Sequence, residues 1–149
     1  MNSRDIELLK LAKDTAEAMS KDESRKSGCV FANGFYFVVS GYNDFPRGVA
    51  RTAERLKRPA KYDFTEHAER NAIYFAAMTG HPLNGCTAYL TWFPCAPCAR
   101  ALVQVGIVRL VCYEPDWSEE QYGFHAAKEI LTEGGIQIDY AGRFVDKRG

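Results

Sequence analysis

Apolar positions recur over the first twenty residues with the period of a helix. Ile6, Leu9, Ala12, Ala16 and Met19 share one face, with Arg, Asp, Glu and Lys between them, which predicts an amphipathic helix over residues 4–20. The polar run 20–27 reads as a loop. Residues 29–31 form a short apolar strand, Asn33-Gly34 supplies a hairpin turn, and residues 35–40, rich in aromatic and β-branched side chains, return as the second strand. Residues 41–62 hold Gly, Asn, Asp, two Pro and four Arg, a loop long enough to suggest a functional role. Helix 65–79 follows, capped by Asp63 or Thr65 and stopped by Gly80 with Pro82 just beyond. The pattern then alternates: strand 87–91, helix 94–105 between Pro94 and Gly106, strand 108–113, helix 119–132 stopped by Gly134-Gly135, and strand 136–140.

That order predicts an α/β fold, a three-layer α/β/α sandwich around a five-stranded mixed sheet with helices on both faces. There is no internal repeat, low-complexity tract or Pro/Ser-rich linker, so residues 1–149 read as one domain. A chain of this length buries roughly 70% of the surface its unfolded form exposes and needs no disulfide staples.

Composition narrows the function classes. Nineteen Lys and Arg balance nineteen Asp and Glu, which argues against a coat for nucleic acid or an anionic membrane but leaves room for a small anionic ligand. The neutrality is a sum of unlike parts. Within residues 47–61, Arg47, Arg51, Arg55, Lys57, Arg58 and Lys61 face Glu54 alone, while residues 114–120 carry Glu114, Asp116, Glu119 and Glu120 and no base. No apolar run is long enough to span a membrane and the first nineteen residues lack a signal core, so a cytoplasmic protein is expected. The five cysteines are an odd set in a reducing setting, which favours metal or catalytic thiolates for a close pair.

The close pair is Cys95 and Cys98. Three apart at the start of a predicted helix, their thiols point to one side, and the helix N-terminus favours the thiolate forms. His67 opens another predicted helix. If the two helices begin side by side at one edge of the sheet, the three side chains converge and leave the fourth tetrahedral position of a zinc ion open, as in a catalytic site. Glu69, two residues after His67, stands within reach of a bound water as a proton carrier. Taken alone, each element has a plainer reading: a redox CxxC pair, a capping histidine, a solvated glutamate. Together, His-x-Glu followed by Pro-Cys-x-x-Cys is the signature of zinc-dependent nucleobase deaminases. Cys29, Cys86 and Cys112 sit in or beside apolar strands and read as small buried hydrophobes.

The chain resembles the cytidine deaminase superfamily, and within it the deoxycytidylate (dCMP) deaminases. Broad motifs are Thr65-Glu66-His67-Ala68-Glu69 and Phe93-Pro94-Cys95-Ala96-Pro97-Cys98-Ala99. Narrower ones are Gly41-Tyr42-Asn43-Asp44-Phe45-Pro46-Arg47-Gly48-Val49, Lys61-Tyr62, Gly85-Cys86-Thr87 and Val105-Gly106-Ile107. The likeness is dense over residues 27–113 and thins after Asp116. It implies hydrolysis at carbon 4 of a cytosine ring, with Glu69 moving the water proton to ring nitrogen 3 and then to the departing amino group. It further implies zinc held by His67, Cys95 and Cys98, and a small nucleotide substrate contacted by Asn43, Arg47, Ala68, Trp92, Phe93 and Tyr113. Assembly as a dimer or hexamer is implied too, as are dCTP and dTTP effectors accompanied by Mg2+. One position departs from the pattern. The family places Gly where this chain has Asp44, a residue that tolerates the same turn but whose carboxylate could repel a nearby phosphate, which bears on effector control. Other readings stay open: deamination of dCTP, cytidine, cytosine or guanine, a tRNA adenosine deaminase, or a zinc module without catalysis.

Overall fold

A computed structural model describes residues 1–144 of the chain. Helix α1 (Ser3–Met19) begins at a capping box, with Asn2 Oδ1 accepting from the Asp5 amide and the Asp5 carboxylate accepting from that of Asn2. Strands β1 (Gly28–Asn33) and β2 (Tyr36–Tyr42) form the antiparallel hairpin. A single turn, α2 (Lys61–Phe64), closes the long loop. Then come α3 (Ala68–Thr79), β3 (Thr87–Leu90), α4 (Ala96–Gln104), β4 (Arg109–Glu114), α5 (Phe124–Glu133) and β5 (Gln137–Arg143). The strands lie in the order β2-β1-β3-β4-β5, antiparallel around β1 and parallel from β3 to β5. The five-stranded mixed sheet is the one expected.

Strand alternation builds two cores. Cys29 and Phe31 of β1, Ala88 and Leu90 of β3, and Leu110 and Cys112 of β4 point to one face, against residues of α3, α4 and α5. Val30, Ala32, Tyr89 and Val111 point to the other, against Leu8, Leu9 and Ala12 of α1. This is the period-2 division that a sheet buried on both faces requires. Cys29, Cys86 and Cys112 are buried among these apolar side chains. Among the described residues, no helix is long and apolar enough to cross a membrane.

Three boundaries differ from expectation by three residues or more. Helix α3 starts at Ala68, so neither Asp63 nor Thr65 caps it. The cause is a two-residue bridge in which the amides of Asp44 and Glu66 each donate to the other's carbonyl, at 3.1 and 2.8 Å, holding the entry to the helix extended. The last helix starts at Phe124 rather than near residue 119. Its approach is tied down where the Tyr122 carbonyl accepts from the Ala96 amide at the head of α4, and Gly123 makes the turn with a positive φ of 64°. Strand β5 runs on to Arg143, which pairs with Glu114 of β4.

Candidate metal centre and active site

The site lies at the carboxyl end of β3, the position where open α/β sheets receive ligands. Strand β3 ends at Leu90, and Cys95 is the residue that caps α4. His67 caps α3 with extended backbone, and its amide donates to Glu66 Oε1 at 2.9 Å. The same Glu66 carboxylate accepts from Arg70 one turn on, and Asn71 Nδ2 donates to the Tyr42 carbonyl. The helix start is thereby fixed to the end of β2.

His67 Nδ1 stands 3.3 Å from Cys95 Sγ and 3.4 Å from Cys98 Sγ, and the three donor atoms all lie within 4.8 Å of one another. Bonds of about 2.1 Å to nitrogen and about 2.3 Å to sulfur, meeting at a tetrahedral angle, would separate the two atoms by roughly 3.6 Å. One nitrogen and two sulfurs at this spacing therefore suit zinc, and magnesium prefers oxygen ligands. Among the described residues this is the one cluster of three or more His, Cys, Asp or Glu side chains so placed.

The electrostatics agree with a metal centre. The Cys98 thiol, by hydrogen bonding to Cys95, draws the pKa of Cys95 down to about 4, and His67 adds to the effect. The converse interaction pushes Cys98 up. A bound cation is what allows both thiols to ionise together. The hydrogen bond to Cys95 raises His67. Glu69 is only 6% exposed, and burial raises its carboxyl above the ordinary value, with the His67 charge pulling the other way. A buried carboxyl of this kind is suited to take up and return a proton.

Glu69, His67 and Cys95 line a cavity of about 130 Å³. Asn43, Trp92 and Phe93, three of the expected substrate contacts, line it too. Asn43 is buried, and its Oδ1 accepts from Ser20 Oγ at 2.6 Å and the Ser27 amide at 2.9 Å, while Nδ2 donates to the Arg25 carbonyl at 2.8 Å. The other three expected contacts lie elsewhere. Arg47 is exposed and away from the cavity wall. Ala68 is buried beneath the helix start, where its carbonyl accepts from the Cys29 thiol. Tyr113 packs with the cluster on the α1 face of the sheet. The cavity instead recruits Arg25, Arg58 and Tyr122, among others. Arg25 lies in a run that reads as a plain polar loop. The signal for it is topological: residues 20–27 lead into β1, and β1 lies beside β3, whose end carries Trp92.

Hydrolytic deamination of a nucleobase requires a zinc with an open position and a dry carboxyl beside it; His67, Cys95 and Cys98 could hold such an ion and Glu69 is such a carboxyl, which is the donor set of the zinc-dependent deaminases. The comparisons agree. The family model of the cytidine and deoxycytidylate deaminase zinc-binding region matches residues 2–114. A protein described as an uncharacterised deaminase in the luxG 3′ region of Aliivibrio fischeri is 33% identical over 127 residues, covering 81% of this chain and 82% of that one. The Homo sapiens deoxycytidylate deaminase is 36% identical over 125 residues, covering 78% of this chain and 68% of that one. The dCMP deaminase of cyanophage S-TIM5, solved with dCMP and dUMP, superposes with a TM-score of 0.75 at 20% identity, over 94% of this chain and 98% of that one; at that identity the likeness is one of fold. The chain belongs to the cytidine and deoxycytidylate deaminase family.

Proposed function

We propose that the protein converts dCMP and water to dUMP and ammonia. The observation that carries this reading is the His67–Cys95–Cys98 triangle opening, with buried Glu69, into a cavity also lined by Asn43 and by the aromatic rings of Trp92 and Phe93. The names of relatives 35% and 36% identical, a probable deoxycytidylate deaminase of Caenorhabditis elegans and the Homo sapiens deoxycytidylate deaminase, support a cytosine nucleotide as substrate. Neutral net charge weighs against a polyanion such as tRNA.

His67, Cys95 and Cys98 would hold the zinc, which when bound acidifies water toward neutral pH. Glu69 accepts the proton of the attacking water, passes it to ring nitrogen 3, and returns a proton to the amino group as it leaves carbon 4. Burial keeps the carboxyl ready for both directions of transfer. Trp92 and Phe93 provide apolar walls against which a base can lie, and Asn43 has a second amide N–H with which to meet a sugar hydroxyl.

The reading extends to a homo-oligomer, supported by Tyr74, Phe75 and Met78, which α3 leaves exposed together. Effector control by dCTP or dTTP has less support, because the Arg51 guanidinium is engaged in a two-pronged pair with Asp44.

The test is ammonia release from dCMP, dCTP, deoxycytidine, cytidine, cytosine and guanine, with and without dCTP and dTTP. The expected result is the highest kcat/KM for dCMP. A higher value for a free base or a nucleoside overturns the substrate assignment.

A further inference from the structure

Three cationic side chains line the catalytic cavity, and they differ in what they already hold. Lys61 is engaged: its Nζ donates to Ser24 Oγ at 2.5 Å and pairs with both oxygens of Asp22 at 3.2 and 3.3 Å. Arg58 is exposed, with its guanidinium 6.0 Å from the Tyr62 ring. Arg25 is different from both.

The Arg25 guanidinium lies 3.8 Å from the Trp92 ring centre and 4.7 Å from that of Tyr122. The backbone beneath it is pinned, its amide donating to Asp22 Oδ1 at 3.1 Å and its carbonyl accepting from Asn43 Nδ2. Trp92 is pinned in turn. Its Nε1 donates to the Lys26 carbonyl at 3.1 Å, and Phe144 packs 3.8 Å away. Two groups this close to one ring cannot share a face, so Trp92 is held between Phe144 and Arg25. Yet among the described residues the guanidinium makes no hydrogen bond to protein. The nearest carboxylate oxygen, Glu119 Oε2, is 3.8 Å away, and that buried oxygen has no hydrogen-bond partner of its own. A planar cation has thus been given its orientation by stacking and, beyond the long ion pair with Glu119, makes no hydrogen bond through its N–H groups among the described residues, on the wall that also holds Glu69.

Such a fork suits a phosphate monoester, whose oxygens accept two parallel N–H bonds. Its rotamer freedom is already restricted, so an arriving anion meets a pre-ordered donor. We propose that Arg25 grips the phosphate of the substrate and is the residue by which this site prefers a nucleoside monophosphate to the bare nucleoside. The inference rests on the reading of the substrate as a cytosine nucleotide.

The experiment compares kcat/KM for dCMP and deoxycytidine in the zinc-loaded wild-type, Arg25→Gln, Arg25→Lys and Arg58→Gln enzymes, with dUMP and deoxyuridine binding measured by calorimetry on the same proteins. In Arg25→Gln the dCMP-to-deoxycytidine ratio falls roughly 10- to 100-fold, the range for a lost hydrogen bond to a charged group, and mainly through KM. Binding of dUMP weakens by a like factor relative to deoxyuridine. Arg25→Lys keeps the charge but not the fork and falls between the two. Arg58→Gln changes the ratio by less than about threefold, as expected of an exposed partner. The proposal is overturned if Arg25→Gln lowers both substrates in equal proportion, if the ratio is kept, or if Arg58→Gln is the variant that collapses it. A wild-type enzyme that discriminates among cytosine compounds but prefers the nucleoside overturns the substrate reading itself, which is a different failure.

Discussion

Glu69 and Asn43 illustrate two ways in which single residues act on this site. Glu69 is valuable for its environment, because burial raises a carboxyl that would otherwise be a weak base. Replacing it with Gln keeps the volume and removes the proton carrier. Glu69→Gln is expected to cut kcat by about 10³-fold, within the usual range for a general acid–base group, while zinc content measured by atomic absorption stays at the wild-type level. Lost zinc in that variant would make Glu69 a ligand instead. Asn43 works through what it ties together: Ser20, Ser27 and Arg25 all bond to its side chain. Asn43→Ala is therefore expected to raise KM for dCMP at least tenfold, since it releases the backbone under Arg25 as well as any direct contact; an unchanged KM would remove Asn43 from the binding site. The zinc ligands and Glu69 were legible in the sequence because their spacing alone states their chemistry. Arg25 was not, because its place in the cavity comes from a tryptophan beyond the end of a neighbouring strand, a contact between residues 67 positions apart. Arg47 shows the reverse: it is near Asn43 in sequence, yet does not line the cavity.

Elements deliver these residues through close backbone approach, and two glycines mark where. A Cβ on Gly41 of β2 would lie 2.4 Å from the Ala68 carbonyl oxygen and 2.8 Å from Ala72 Cβ, so it would push back the start of α3. A Cβ on Gly28 of β1 would lie 2.1 Å from the Ala12 carbonyl oxygen and would push on α1, on the other side of the sheet. Both Gly→Ala changes overpack and are expected to lower stability in denaturant unfolding by about 1–3 kcal/mol. Only Gly41→Ala displaces the helix that carries His67 and Glu69, so only it should also lower kcat per folded molecule, by at least tenfold, because a shift of about 1 Å in catalytic geometry has that scale of effect. Equal kcat in the two variants would show that the α3 start does not depend on this contact. Removal of zinc separates fold from function at the same scale. The cores of α3 and α4 contain apolar residues well beyond the metal triangle, so a chelator is expected to abolish turnover while far-UV circular dichroism keeps its helical signal. Loss of that signal would make the metal structural. The elements themselves were largely legible, since amphipathic helices and alternating strands declare their period. Their edges were not. The start of α3 is set by the Asp44–Glu66 bridge and that of α5 by the Tyr122–Ala96 bond, both pairings between distant segments that no local window contains.

Across the whole molecule, the face opposite the cavity is fastened by a single charged network. Asp5, 2% exposed in the first turn of α1, accepts from Arg109 Nη1 and Nη2 at 2.8 and 3.0 Å, from Tyr89 Oη at 2.9 Å and from the Asn2 amide at 3.0 Å. Arg109 Nε also donates to Asp139 at 2.6 Å, so α1, β4 and β5 meet at one guanidinium, and β3 joins them through Tyr89 at the Asp5 carboxylate. The Arg109 bonds hold the Asp5 carboxyl well below the usual carboxylate range, against the opposing effect of burial, and burial followed by the Asp5 bond pushes Tyr89 up to about 12. A depressed carboxyl means that the unfolded chain, with an ordinary value of about 3.9, binds this proton more readily than the folded one. The stability that Asp5 contributes is therefore complete above about pH 5 and is lost as the pH falls through the ordinary carboxylate value toward the folded one. Asp5→Asn leaves Arg109 with Asp139 alone and is expected to cost about 3 kcal/mol at pH 7, the scale for breaking a buried pair. In urea unfolding the gap between wild type and variant should hold from pH 7 to pH 5 and narrow by pH 3, while kcat/KM at pH 7 stays near wild type because the network faces away from Glu69. A gap that is the same at pH 3 as at pH 7 would mean that the Asp5 charge does not fasten α1 to the sheet.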